Sequence, residues 1–246
     1  MEREDKHWKS IDDLISKTGK SLNILEEEID IAVQRQYMIM ARSLPLVERD
    51  YEGARQRARD EMHLLADETT SDNDKKRLLV LLATVEDVPV YRVIEAFAKL
   101  DTPLQKWATV ALQQSRMLIQ SALLDEATIF LSTGLGGQGG SLRYFCVFVA
   151  NTRMQPYQRE VVEKETEMSV ERLKGSIEQF DVHGRYITVT ILLPVNANIK
   201  DTFKAIIDEC NTYGGFLNEQ IIITNVKKLT VEEIDDFLLK AKAEDF

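Results

Sequence analysis

The hydrophobic period of this chain changes halfway along its length, and the change limits its fold more than any other feature. Up to about residue 124 the apolar residues recur at intervals of three and four, the period of an amphipathic helix. Ser10 can cap a helix through Ile11, Leu14 and Ile15. Leu22, Ile24, Leu25, Ile29, Ile31, Ala32 and Val33 continue the helical pattern after the polar break 17–20. Another helix follows Pro45 with Val47, Tyr51, Ala54, Ala58, Met62 and Leu65. The run Leu78 to Ala83 is apolar nearly all round, which predicts a helix covered on several sides. Asp87-Val88-Pro89 and Asp101-Thr102-Pro103 each place an Asp at an N-cap and a Pro within the first turn, predicting helices over 88–100 and 102–123.

Beyond that point the pattern shortens toward two. Ala127 to Thr133 and Leu142 to Val149 predict strands, the second apolar enough to be covered on both faces. Gln155 to Gln179 reads as one long helix opened by Pro156. Arg185 to Leu193 alternates, with Tyr186, Thr188 and Thr190 on one side and Ile187, Val189 and Ile191 on the other. Asn198 caps a helix through Cys210, and Gln220 to Thr224 is a further strand. Thr230 to Glu233 is a capping box that opens a last helix to Lys240. The expected order is ββαβαβα, a mixed four-stranded α/β sandwich that departs from the βαββαβ order. The expected organisation is therefore two-part, α+β / α/β. Residues 1–124 are an all-helical domain, HEAT-like or a plain bundle, and 125–246 an α/β sandwich domain with a Gly-rich hairpin loop.

The stretch 72–124 resembles HEAT-type helical repeats. The resemblance rests on Lys75 to Ala83, Val88 to Asp101 and Gln105 to Leu112, with Arg77 and Lys106 in matching places. It implies stacked helix pairs that present a concave surface to a protein partner.

Composition narrows the function classes. With 44% hydrophobic and 29% charged residues the chain is an ordinary folding sequence. A net charge of −10 disfavours non-specific binding to nucleic acid or to anionic lipid. The longest apolar run is far too short for a membrane span, and no apolar run follows the charged N-terminus. Cys146 and Cys210 form no CxxC pair and read as buried small hydrophobes, which points to a reducing, cytoplasmic setting.

Five of the eleven glycines fall within residues 133–140. Glycine permits positive φ and close backbone approach to an anion. The spacing lacks the Gly-Lys-Ser/Thr of a P-loop, and a strand follows where a phosphate-binding helix should stand. The segment therefore reads as a mobile hairpin tip able to contact a ligand or partner. Its candidate binding residues are Gly134, Gly136, Gly137, Gln138, Gly139, Gly140 and Arg143. His7, His63 and His183 have no metal-ligand spacing to Cys, Asp or Glu, and no nucleophile stands beside a base, so no catalytic residue, metal site or cofactor is expected. Two function classes stay open: a non-enzymatic protein-interaction protein, and a regulatory domain binding an anionic small molecule at the Gly-rich loop. Lesser readings are an enzyme of unrecognised type, whose catalytic residues need not be close in sequence, and an RNA-associated factor using Tyr144, Phe145 and Phe148. Arg77, Lys106 and Trp107 offer a second candidate anchor surface.

Overall fold

The computed structural model describes residues 21–47, 51–124 and 128–244. The helix expected after Ser10 lies outside them. The described residues fall into two compact units, one within Ile15–Ser132 and one within Thr133–Phe246.

The first unit carries α1 (Ile31–Val47), α2 (Tyr51–Glu61), a 3-10 turn (Met62–Leu65), α3 (Asp72–Leu82), α4 (Val88–Ala98) and α5 (Gln105–Leu124). It is not all-helical. β1 (Ser21–Ile24) pairs in parallel with β2 (Thr128–Leu131), from Ser21 opposite Thr128 to Ile24 opposite Leu131. The helical pattern expected from Leu22 to Val33 is thus split. Leu22 and Ile24 lie in the strand, while Leu25 and Ile29 in the connection are fully buried. The Asp30 carboxylate accepts from the Ala32 N–H at 2.6 Å as α1 begins. The same pairing takes β2 away from the strand that follows it, so the hairpin expected between 127–133 and 142–149 does not form. Strand β2 belongs to the helical unit.

Apolar stripes on α1, α3, α4 and α5 make one core, in which Leu79, Leu82, Ile94, Ala108 and Ala111 are fully buried. Ser71 caps α3 by accepting from the Asp74 N–H. At α4 Pro89 stands in the first turn, but the Asp87 side chain makes no cap bond. Helix α5 opens at Gln105, past Pro103 rather than around it. Trp107 is buried, edge-on to Tyr37 at 5.2 Å, and its indole N–H donates to the Lys76 carbonyl. A side chain so placed is a core anchor, which removes it from the expected partner surface.

The second unit carries β3 (Gly137–Gln138), β4 (Ser141–Ala150), α6 (Pro156–Arg172), β5 (Ser176–His183), β6 (Tyr186–Pro194), α7 (Ile199–Asn211), β7 (Leu217–Thr224) and α8 (Val231–Glu244). The long helix expected to Gln179 stops at Arg172, and a strand follows. A bulge between Ile177 and Gln179 explains the misreading. It places Ile177, Phe180 and Val182 opposite the inward Ile191, Val189 and Ile187, so the apolar spacing begins at three and mimics a helix.

The corrected order, β4-α6-β5-β6-α7-β7, is βαββαβ. Its strands lie β7-β4-β6-β5, antiparallel throughout rather than mixed. This is the double split βαβ, or ferredoxin-like, arrangement. Tyr144, Cys146 and Phe148 are buried on one face, where Phe203 of α7 stacks on Phe148 at 5.3 Å. On the other, Phe145, Val147, Val149, Tyr186 and Ile222 meet Ile234 and Leu238 of α8. With both faces of β4 covered, Tyr144, Phe145 and Phe148 are buried and offer no stacking platform for RNA bases.

Candidate ligand pocket on the sheet

The Gly-rich segment is mostly a packed wall. Thr133, Gly134, Leu135, Gly136 and Gly137 are buried, and only Gln138, Gly139 and Gly140 are exposed. Leu135 belongs to the apolar cluster under α8, and its N–H donates to the Asn225 carbonyl at 3.0 Å. The Thr133 hydroxyl donates to the Gly136 carbonyl at 3.1 Å. Gly139 and Gly140, at φ 55° and 84°, make the two-residue turn between β3 and β4, where positive φ at both positions suits the strand twist.

Arg143 is committed within this wall. Its guanidinium donates to the Leu135 carbonyl at 2.7 Å and grips the Glu178 carboxylate through Nε and Nη2, at 2.5 and 2.8 Å. The bulge of β5 is what turns Glu178 toward it. Hydrogen bonding from Arg143 holds the Glu178 carboxyl below its ordinary range, against partial burial, with the Lys228 charge adding a little. Arg143 therefore clamps the Gly-rich segment to β5.

Beside this clamp, between the sheet and the start of α8, lies a pocket of about 250 Å³. Phe145 and Ile234 form its apolar side, and Thr188, Thr190, Asp181 and Lys228 its polar side. Register explains the convergence: Thr190 pairs with both Phe145 and Gln179, and Thr188 with both Val147 and Asp181. All six therefore share the face that α8 covers only in part. Thr188 and Thr190 are 6% and 2% exposed, and neither hydroxyl has a hydrogen-bond partner among the described residues. Neither oxygen is sealed off from solvent, so both hydroxyls are open to the pocket and free to bond a guest.

The rim is an ordered relay. Lys228 Nζ donates to Gln179 Oε1 at 2.9 Å, and Gln179 Nε2 donates to Asp181 Oδ2 at 2.6 Å. Thr230 and Glu233 form the predicted capping box, each bonding the other's backbone N–H. The Glu233 carboxyl is held low first by Lys227 and then by the Thr230 N–H. Val231, the first residue of α8, also lines the pocket, where a helix leaves N–H groups without internal partners.

Of the expected site residues, Gly134, Gly136, Gly137 and Arg143 build the wall next to this pocket, and Gln138, Gly139 and Gly140 stand at the turn beyond it. The pocket's own residues were missed as a site. The available signal was the polar side of β6, where Thr188 and Thr190 alternate on a strand too central to face water. Burial drives the Cys146 thiol well above its usual range and pushes Cys210 up to about 12, so neither is a ready nucleophile. Among the described residues no group of His, Cys, Asp and Glu is arranged to hold a metal ion, and no helix is long and apolar enough to cross a membrane. Neither the known protein-family models nor the curated proteins include a match to this chain.

Proposed function

We propose that this chain is a regulatory protein that acts by binding, and that its βαββαβ unit takes a small polar molecule in the pocket between the sheet and α8. The carrying observation is the pair Thr188 and Thr190, nearly buried residues of a central strand whose hydroxyls have no protein partner among the described residues and open to that pocket. They favour the pocket over the Gly-rich turn as the binding site, because the turn's neighbour Arg143 is already paired. A thermal-shift screen of small metabolites on the full chain tests the proposal. A ligand at a hundred times its Kd contributes about 2.7 kcal/mol. That gain should vanish in Thr190→Val, which keeps the shape of the side chain and removes the hydroxyl. A hit that protects Thr190→Val equally well would place the site elsewhere.

A second reading, an adaptor that engages another protein through its helical unit, is favoured by Ile31 and Ile39 of α1. They lie two turns apart on one side of the helix and are 42% and 59% exposed. The HEAT-like character of 72–124 belongs to this reading. It predicts that Ile39→Asp abolishes capture of a binding protein without lowering Tm.

A further inference from the structure

Two opposite charges without ion-pair partners face this pocket. Lys228 makes no salt bridge among the described residues, and neither does Asp181. The Gln179 amide stands between them, accepting from one and donating to the other. A direct Lys228–Asp181 ion pair would cancel both charges. The amide instead keeps them apart by its own width and leaves each with bonding capacity toward the pocket.

The remaining walls divide by chemistry. Lys228 lies just ahead of the first turn of α8, so the cationic side of the pocket combines an ammonium with a helix end whose positive charge the Glu233 carboxylate of the capping box already offsets in part. Asp181 supplies the anionic side from β5. At the base, Thr188 and Thr190 offer hydroxyls that both donate and accept. Phe145, Leu229 and Ile234 close the apolar side. A helix N-terminus beside a lysine would favour any anion. Asp181 penalises a simple anion and favours a ligand that brings its own cation. A volume of about 250 Å³ is below the usual range of about 300–1,000 Å³ for drug-sized ligands, so a nucleotide would not be enclosed.

We infer that the pocket binds a small zwitterion with an apolar tail, the chemistry of a free α-amino acid. The carboxylate faces Lys228 and the α8 N-terminus, the ammonium faces Asp181, and the side chain lies against Phe145 and Ile234. This inference rests on the pocket reading proposed above and narrows it to a ligand class.

The test uses the full chain and titration calorimetry, with the apolar L-amino acids as probes one at a time. For each, the matching amine without the carboxylate and the matching acid without the amine are measured beside it. The expected result is that at least one amino acid binds, and that both of its analogues bind at least tenfold more weakly. Asp181→Asn should remove the preference over the acid, and Lys228→Gln the preference over the amine. Thr190→Val should weaken binding of the amino acid and Thr190→Ser should restore it, with cooperative unfolding retained in both. Equal binding of an amino acid and either analogue overturns the zwitterion. So does the absence of amino-acid binding when the metabolite screen yields a ligand sensitive to Thr190→Val, and in that case the pocket reading itself survives. If every ligand found is indifferent to Thr190→Val, both fall.

Discussion

A methyl group added to Gly134 would sit 1.7 Å from the carbonyl oxygen of Val226, a backbone atom with no rotamer to move aside. Gly134→Ala should therefore cost about 3 kcal/mol in a urea melt, the upper part of the range for overpacking. Gly139 is the opposite case. Nothing lies within 4 Å of a Cβ there, and only its φ of 55° resists substitution. Gly139→Ala should cost on the order of 1 kcal/mol, and Gly139→Asn should recover most of it, since Asn tolerates that conformation. The same melts across pH read the Arg143–Glu178 clamp. The folded-state pKa of Glu178 is depressed, so its contribution is present above the unfolded carboxyl value and is lost as pH falls through the folded value. The stability gap between the wild-type chain and Glu178→Gln should accordingly be widest near neutrality and shrink as pH falls below about 4.

Helix α8 is the element on which the pocket depends. It docks through Ile234 and Leu238, and at Asp235, which accepts the Tyr186 hydroxyl hydrogen bond while Arg185 donates to that same hydroxyl. Ile234→Ala should destabilise the sheet unit by about 3 kcal/mol, the usual range for deleting a buried branched side chain. It should also abolish ligand protection, because Ile234 is a wall of the pocket as well as a core residue. Calorimetry on the variant with the ligand found in the screen checks both effects. At this scale the chain was only partly legible as sequence. The capping box at Thr230, the alternation of Tyr186 to Ile191 and the covered run at Leu78 to Ala83 declared themselves, since each is a local pattern with a local cause. Strand β5 did not, because a bulge moves its apolar residues off the period of two. Strand β1 did not, because Leu22, Ile24 and Leu25 fit a helix as well as a short strand, and only its distant partner β2 decides. The pocket was hidden for the same reason. Asp181, Thr188 and Lys228 come from three segments, and only the antiparallel register brings them together.

At the scale of the molecule, the two compact units set where the chain can be cut. A fragment 133–246 carries the whole βαββαβ sheet with α8 and should unfold in one cooperative transition, without binding a dye for exposed apolar surface. Fragments 1–124 and 1–132 differ by the strand Thr128–Leu131, and the longer should have the higher urea midpoint because only it can pair β1. A failure of 1–132 to gain over 1–124 would mean that the two-strand pairing adds nothing to the helical unit. This pairing also has a temporal side. Among the described residues, synthesis makes β1 before the helices of its unit and β2 after all of them. Until Leu131 clears the ribosome, α1 to α5 can all exist while the edge of β1 stays vacant. A message truncated in α5 would release that half-closed product, a form for quality-control proteases to distinguish from the finished unit.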